Sequence, residues 1–197
     1  MFVLKVLVKT FKFFTGWEYL PPKEELKNGI YILPVHTSAW DGLHAVVGST
    51  EYGLTPITFL LDRFYDVAPS ICSRLGFIRV PDMDSKSATA FVPLFRELRK
   101  KTKTAKSPFS VTICPEGNRQ YVENFKSSFL YLSRSLKLPI YVLEIDYRTK
   151  QSQVYPAIDP RGLSDKQVMD KIRKYVKPET GLYPEQAGNP YLEVEND

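Results

Sequence analysis

Apolar positions along this chain follow two alternating rhythms: unbroken runs, and stripes that return every third or fourth residue. The runs at residues 29–35, 55–61, 77–80, 109–114 and 139–147 predict buried strands, with residues 154–158 pairing beside the last. Helical spacing predicts helices over residues 40–52, 67–75, 85–103 and 125–137. Gly76 ends the second of these, and Pro81 stops the short strand that follows. In the third, Ala88, Phe91, Val92, Phe95 and Leu98 share a face, and Pro93 inside the pattern predicts a kink or a late start. Ser164-Asp-Lys-Gln167 reads as a capping box opening a helix that buries Val168, Ile172 and Val176. Strands that alternate with helices predict an α/β domain, a layered sheet with flanking helices whose functional turns emerge at strand ends.

The two ends of the chain depart from this alternation. Residues 1–20 carry Phe2, Val3, Leu4, Val6, Leu7, Val8, Phe11, Phe13, Phe14 and Trp17 around Lys5, Lys9 and Lys12, three lysines on one helical face. Such a helix suits the headgroup boundary of a bilayer, with lysines at anionic lipid and phenylalanines in the acyl region. It equally suits packing of its wide apolar face on the core. No run reaches the length of a spanning helix, so a membrane contact here is peripheral, on the cytoplasmic side. From residue 178 the chain turns to Pro, Gly, Glu and Asn, which predicts an extended or partly disordered, acidic Pro-rich tail over residues 178–197. Residues 21–177 remain as the single folded domain, because 197 residues with 43% hydrophobic content support one core and not two.

Charge and cysteine content narrow the partners. The net charge of +5 points to an anionic surface or substrate. The basic cluster at residues 99–106 has no interleaved aromatics, so it reads as a solvated helix end and not as a nucleic-acid interface. Two cysteines, Cys72 and Cys114, form neither a metal spacing nor a disulfide framework, in keeping with a reducing cytosol.

Two segments carry chemistry. His36 follows the run ending at Val35, which places it at the carboxyl end of a strand, where ligands of open α/β sheets bind. Asp41 falls in the first turn of the next helix, where it can accept from one imidazole nitrogen and leave the other as a base, while Ser38 between them can tie the loop as an N-cap. A lone His and Asp would more simply be a core histidine and a helix cap. In the second segment, Gly117 permits a left-handed turn, Asn118 offers a local backbone partner, and Glu116 and Arg119 bring opposite charges. Arg119 can grip a phosphate, or stand solvated on a plain turn. His44 lies within the helix and has no assigned role. With no Gly-x-Ser-x-Gly elbow and no His-Glu-x-x-His, neither a serine nucleophile nor a zinc site is expected.

Taken together, Val35-His-Thr-Ser-Ala-Trp-Asp41, Cys114-Pro-Glu-Gly-Asn-Arg119 and Leu138-Pro-Ile-Tyr-Val142 resemble, in order and separation, the blocks of the PlsC-like glycerolipid acyltransferases. The similarity runs from about Gly16 to Pro160. It departs at Val35, at Asn118 and, within Leu75-Gly-Phe-Ile-Arg-Val-Pro-Asp82, at Asp82, which stands where the family has a phosphate-contacting arginine; Arg79 is the nearby substitute. The resemblance implies transfer of a fatty acyl group from acyl-CoA or acyl carrier protein to the hydroxyl of a lysophospholipid such as a 1-acylglycerol 3-phosphate, with the thioester as co-substrate and no other cofactor. It implies His36 and Asp41 as the catalytic pair, with Ser38, Arg79, Glu116, Gly117, Asn118 and Arg119 holding substrate. A hydrolase using the same pair, or a lipid-binding protein keeping the fold without catalysis, would share these residues.

Overall fold

The structure, a computed structural model, describes residues 2–61, 65–74, 77–80, 91–105 and 107–192. Gly76, Pro81, Asp82, Ala88 and the expected helix start at residue 85 lie outside that set. Seven strands form one sheet: β1 (Glu18–Tyr19), β2 (Gly29–Ile32), β3 (Thr55–Leu61), β4 (Phe77–Val80), β5 (Phe109–Ile113), β6 (Ile140–Asp146) and β7 (Gln151–Val154). Their spatial order is β1-β7-β6-β2-β5-β3-β4. Five strands run parallel. β7 returns antiparallel to β6, and β1 runs parallel to β7. The helices are α1 (Phe2–Thr15), α2 (Trp40–Glu51), α3 (Pro69–Arg74), α4 (Phe91–Thr104), α5 (Ser128–Leu136) and α6 (Asp165–Arg173).

Side chains alternate across a strand, so each central strand feeds two layers. Ile30 and Ile32 of β2, with Ile140 and Val142 of β6, face a layer that holds Leu98, Phe129, Leu130, Val168, Met169 and Ile172 from α4, α5 and α6. Tyr31 and Leu33, with Tyr141 and Leu143, face the opposite layer, against Val8, Ala45 and Val47 from α1 and α2. Both faces of the sheet are therefore covered, as a mainly parallel sheet requires.

Where bounds differ from expectation, the cause is local. β2 stops at Ile32 because Pro34 has no N–H to offer a neighbouring strand, and the chain swings toward His36. The helix expected from residue 125 begins at Ser128, since Phe125 N donates to Tyr191 O and Lys126 N to Pro115 O instead of starting a turn. Pro93 lies within α4, whose described part runs over Phe91–Thr104. The capping box forms as read, with Ser164 Oγ accepting from Gln167 N and the Gln167 side chain accepting from Ser164 N.

Residues 178–192, expected to be an extended tail, instead fold back across the sheet. Two short 3-10 helices, Pro178–Thr180 and Pro184–Gln186, carry the chain past β6 and β2. Thr180, Ala187, Gly188 and Leu192 are buried, and Phe125 bridges Leu192. Proline-rich composition signals a lack of long helix or strand here, not a lack of packing.

Candidate active site

β2 and β5 lie side by side and parallel, so their carboxyl ends deliver residues 33–41 and 114–119 to one edge of the sheet. On the first segment, His36 Nδ1–H donates to Asp41 Oδ2 at 3.1 Å. The same oxygen accepts Thr37 N at 3.0 Å and Ser38 N at 2.8 Å, and Oδ1 accepts the Tyr147 hydroxyl at 2.5 Å. A carboxylate only 1% exposed is tolerated because four donors replace its water. The imidazole keeps 19% exposure and also bonds the Cys114 side chain. Ser38 is buried and its Oγ accepts Trp40 N, but it is not the N-cap expected of it: Ala39 takes that place, because α2 starts at Trp40, one residue later than a Ser38 cap requires.

On the second segment, Glu116 points inward and is 1% exposed. Its Oε2 accepts His36 N at 2.6 Å and its Oε1 accepts Gly188 N at 2.8 Å. Both oxygens are thus committed to main chain, which makes Glu116 a strut joining β2, β5 and the C-terminal segment. Gly117 turns at φ +74°, the left-handed conformation expected of it. A side chain there would also collide with Lys126 Nζ, 2.6 Å from the site of a Cβ. Asn118 Oδ1 accepts Gln120 N in a local turn. Arg119 is half-buried and forms no ion pair among the described residues.

Arg79 stands apart. It lies on edge strand β4, separated from β2 by β5 and β3, or about 14 Å of sheet at the usual strand spacing. Its Nη2 is paired with Asp66 Oδ2 at 2.9 Å.

Three residues near His36 escaped the sequence pattern. Cys114 interacts with the His36 ring from the end of β5. Lys126 leans over Gly117 and brings a second cation to the turn. Tyr147 reaches Asp41 from the end of β6. Cys114 and Tyr147 each close one of the strand runs and stand just past the end of a parallel strand, so the strand-end rule applied to every parallel strand would have named both. Lys126 carries no such signal.

Electrostatics follow from these contacts. Burial opposes a charged His36, but the Cys114 thiol and the Asp41 carboxylate outweigh it and push the ring up to about 10. Burial pushes Glu116 up to about 7, against the Gly188 and His36 N–H groups that favour its charge. His44 is buried and held at about 4, so it stays neutral; burial dominates there and Asp41 opposes it weakly. Its Nδ1 meets the Tyr19 hydroxyl at 2.8 Å, and its ring lies 3.8 Å from that of Trp17. Among the described residues no group of three or more His, Cys, Asp or Glu is arranged to hold a metal ion.

Fold and site together define an α/β protein with an oriented histidine–carboxylate pair at the carboxyl edge of its sheet. No protein-family model matches the chain, and no curated protein sequence matches it significantly.

Proposed function

We propose that this protein transfers a fatty acyl group from a thioester, acyl-CoA or acyl carrier protein, to the hydroxyl of a lysophospholipid. The observation that carries the proposal is the His36 Nδ1–H···Oδ2 Asp41 bond, in a ring that stays 19% exposed beside Cys114 at the start of the 114–119 turn. His36 takes the hydroxyl proton as the oxygen attacks the thioester carbonyl, and Asp41 stabilises the imidazolium that forms. The proton then passes to the departing thiolate. Arg119 and Lys126 supply positive charge for the acceptor phosphate. The Glu116 and Gly117 backbone shapes the turn that presents them.

Helix α1 supports a bilayer as the place of reaction. Val8 and Phe11 pack inward, while Val6, Leu7, Phe13 (83% exposed) and Phe14 (79% exposed) face solvent, and Lys9 stands exposed with them. One narrow stripe thus fixes the helix to the domain and a second, apolar and lysine-flanked, is left for an anionic membrane surface. No helix among the described residues is long and apolar enough to cross a membrane.

Purified protein is incubated with labelled acyl-CoA and a panel of lysolipids, and the products are resolved by mass. Acyl transfer to one lysolipid class, abolished in a folded His36→Ala variant, is expected. Thiol release that ignores the lysolipid favours hydrolysis, and normal turnover by His36→Ala overturns the assignment of the base.

A further inference from the structure

We infer that Tyr147 is a positioning residue for the His36–Asp41 pair: its phenol holds Asp41 Oδ1 and draws off part of the negative charge that His36 feels. The hydroxyl donates to Oδ1 at 2.5 Å, while Oδ2 receives His36 Nδ1–H, Thr37 N and Ser38 N. The two main-chain donors fix one oxygen. Among the described residues only Tyr147 holds the other, so the plane of the carboxylate is set between β6 and the 36–41 loop.

Tyr147 is itself built into place. Asp146 accepts Arg148 N, Nε and Nη2, which fixes the turn around it, and Tyr147 N donates to Thr180 O at 3.0 Å. Its ring meets Trp17 and His44 edge-on, at 5.2 Å and 5.7 Å between centroids. Burial and the nearby Asp41 charge keep the phenol protonated and therefore a donor. The groups that face His36 are Asp41, Cys114 and the Glu116 carboxylate, and those around Tyr147 are Asp41, His44, Ser38 and Tyr19.

A phenol that draws charge from a carboxylate weakens the hold of that carboxylate on an imidazolium. Tyr147→Phe therefore leaves Asp41 with more charge on Oδ2, and His36 binds its proton more tightly. The test is a proton NMR titration of the full-length protein, simple here because the chain has two histidines, His36 and His44. In Tyr147→Phe the His36 midpoint is expected to move to higher pH. The control is Tyr19→Phe, which removes a phenol from the same aromatic cluster but one bonded to His44. It is expected to move the His44 resonance and leave the His36 midpoint in place. An unchanged or lowered His36 midpoint in Tyr147→Phe, or the same change in both variants, overturns the inference. If Tyr147→Phe does not fold, 3-fluorotyrosine incorporated at position 147 provides a stronger donor. It is expected to lower the His36 midpoint, and no shift overturns the inference. The activity arm rests on the acyl-transfer proposal: kcat falls about tenfold or more, as expected for a hydrogen bond to a charged group, with KM for the acceptor unchanged. Absence of transfer by the wild type would remove that proposal, while the titration still decides the inference.

Discussion

His36 is the residue on which stability and activity pull in opposite directions. Its ring titrates near 6.5 when unfolded and at about 10 in the fold, so the folded state holds the proton more tightly. Its contribution to stability is complete below pH 6.5 and disappears as pH climbs through about 10. A general base must be unprotonated, so under the proposed function acyl transfer rises over the same interval. We expect kcat/KM to increase up to about pH 10 while the melting temperature loses the His36 contribution, and His36→Ala to remove that pH-dependent part of the melting curve; paired rate and melting series check both. The His36–Asp41 pairing was legible in sequence because spacing and strand-end position both pointed to it. Glu116 was not. A carboxylate beside a basic turn reads as a substrate contact, whereas the fold spends both its oxygens on main-chain N–H groups from segments 80 and 72 residues away. No local pattern carries that information.

At the scale of elements, the parallel strands were legible because burial on both faces gives uninterrupted apolar runs. β1 was not, since two residues carry no periodicity. α1 shows where a hydrophobic pattern is ambiguous. A helix apolar almost all round fits both core and bilayer, and the structure divides the surface between Val8, 2% exposed, and Phe13 with Phe14. The division is testable. Val8→Ala is expected to cost roughly 1.5 kcal/mol of stability, from about 0.8 kcal/mol for each carbon removed from the core, as read by denaturant unfolding. A Phe13→Ser, Phe14→Ser double variant is expected to keep the wild-type melting temperature and lose flotation with anionic vesicles. Vesicle binding unaffected by the double variant would remove the bilayer from the proposal.

Over the whole molecule, the C-terminal segment closes the sheet edge that the strand ends open. Tyr147 N donates to Thr180 O, Tyr183 N to Thr37 Oγ1, Gly188 N to Glu116 Oε1, Asn189 N to Val122 O, and Phe125 N to Tyr191 O. Glu116→Ala strands two N–H groups, His36 and Gly188, and is expected to cost about 2 kcal/mol or more. Limited proteolysis is expected to find residues 178–192 cut faster. Gly188→Ala reaches the same latch from the other side. Its Cβ would stand 2.7 Å from Val122 Cγ2 and 3.1 Å from Glu116 Cγ, so overpacking of about 1–3 kcal/mol should lower the melting temperature. This closure was illegible in sequence, because its bonds join main chain across long separations while its composition resembles a loose end.

The Glu116 strut also imposes an order of events on synthesis. His36 and Asp41 leave the ribosome early, but the partner of Glu116 Oε1 is Gly188, close to the last of the described residues. A nascent chain not yet extended through Gly188 holds the His36 loop in an unfinished cradle, and the edge is completed only once residue 188 has joined it.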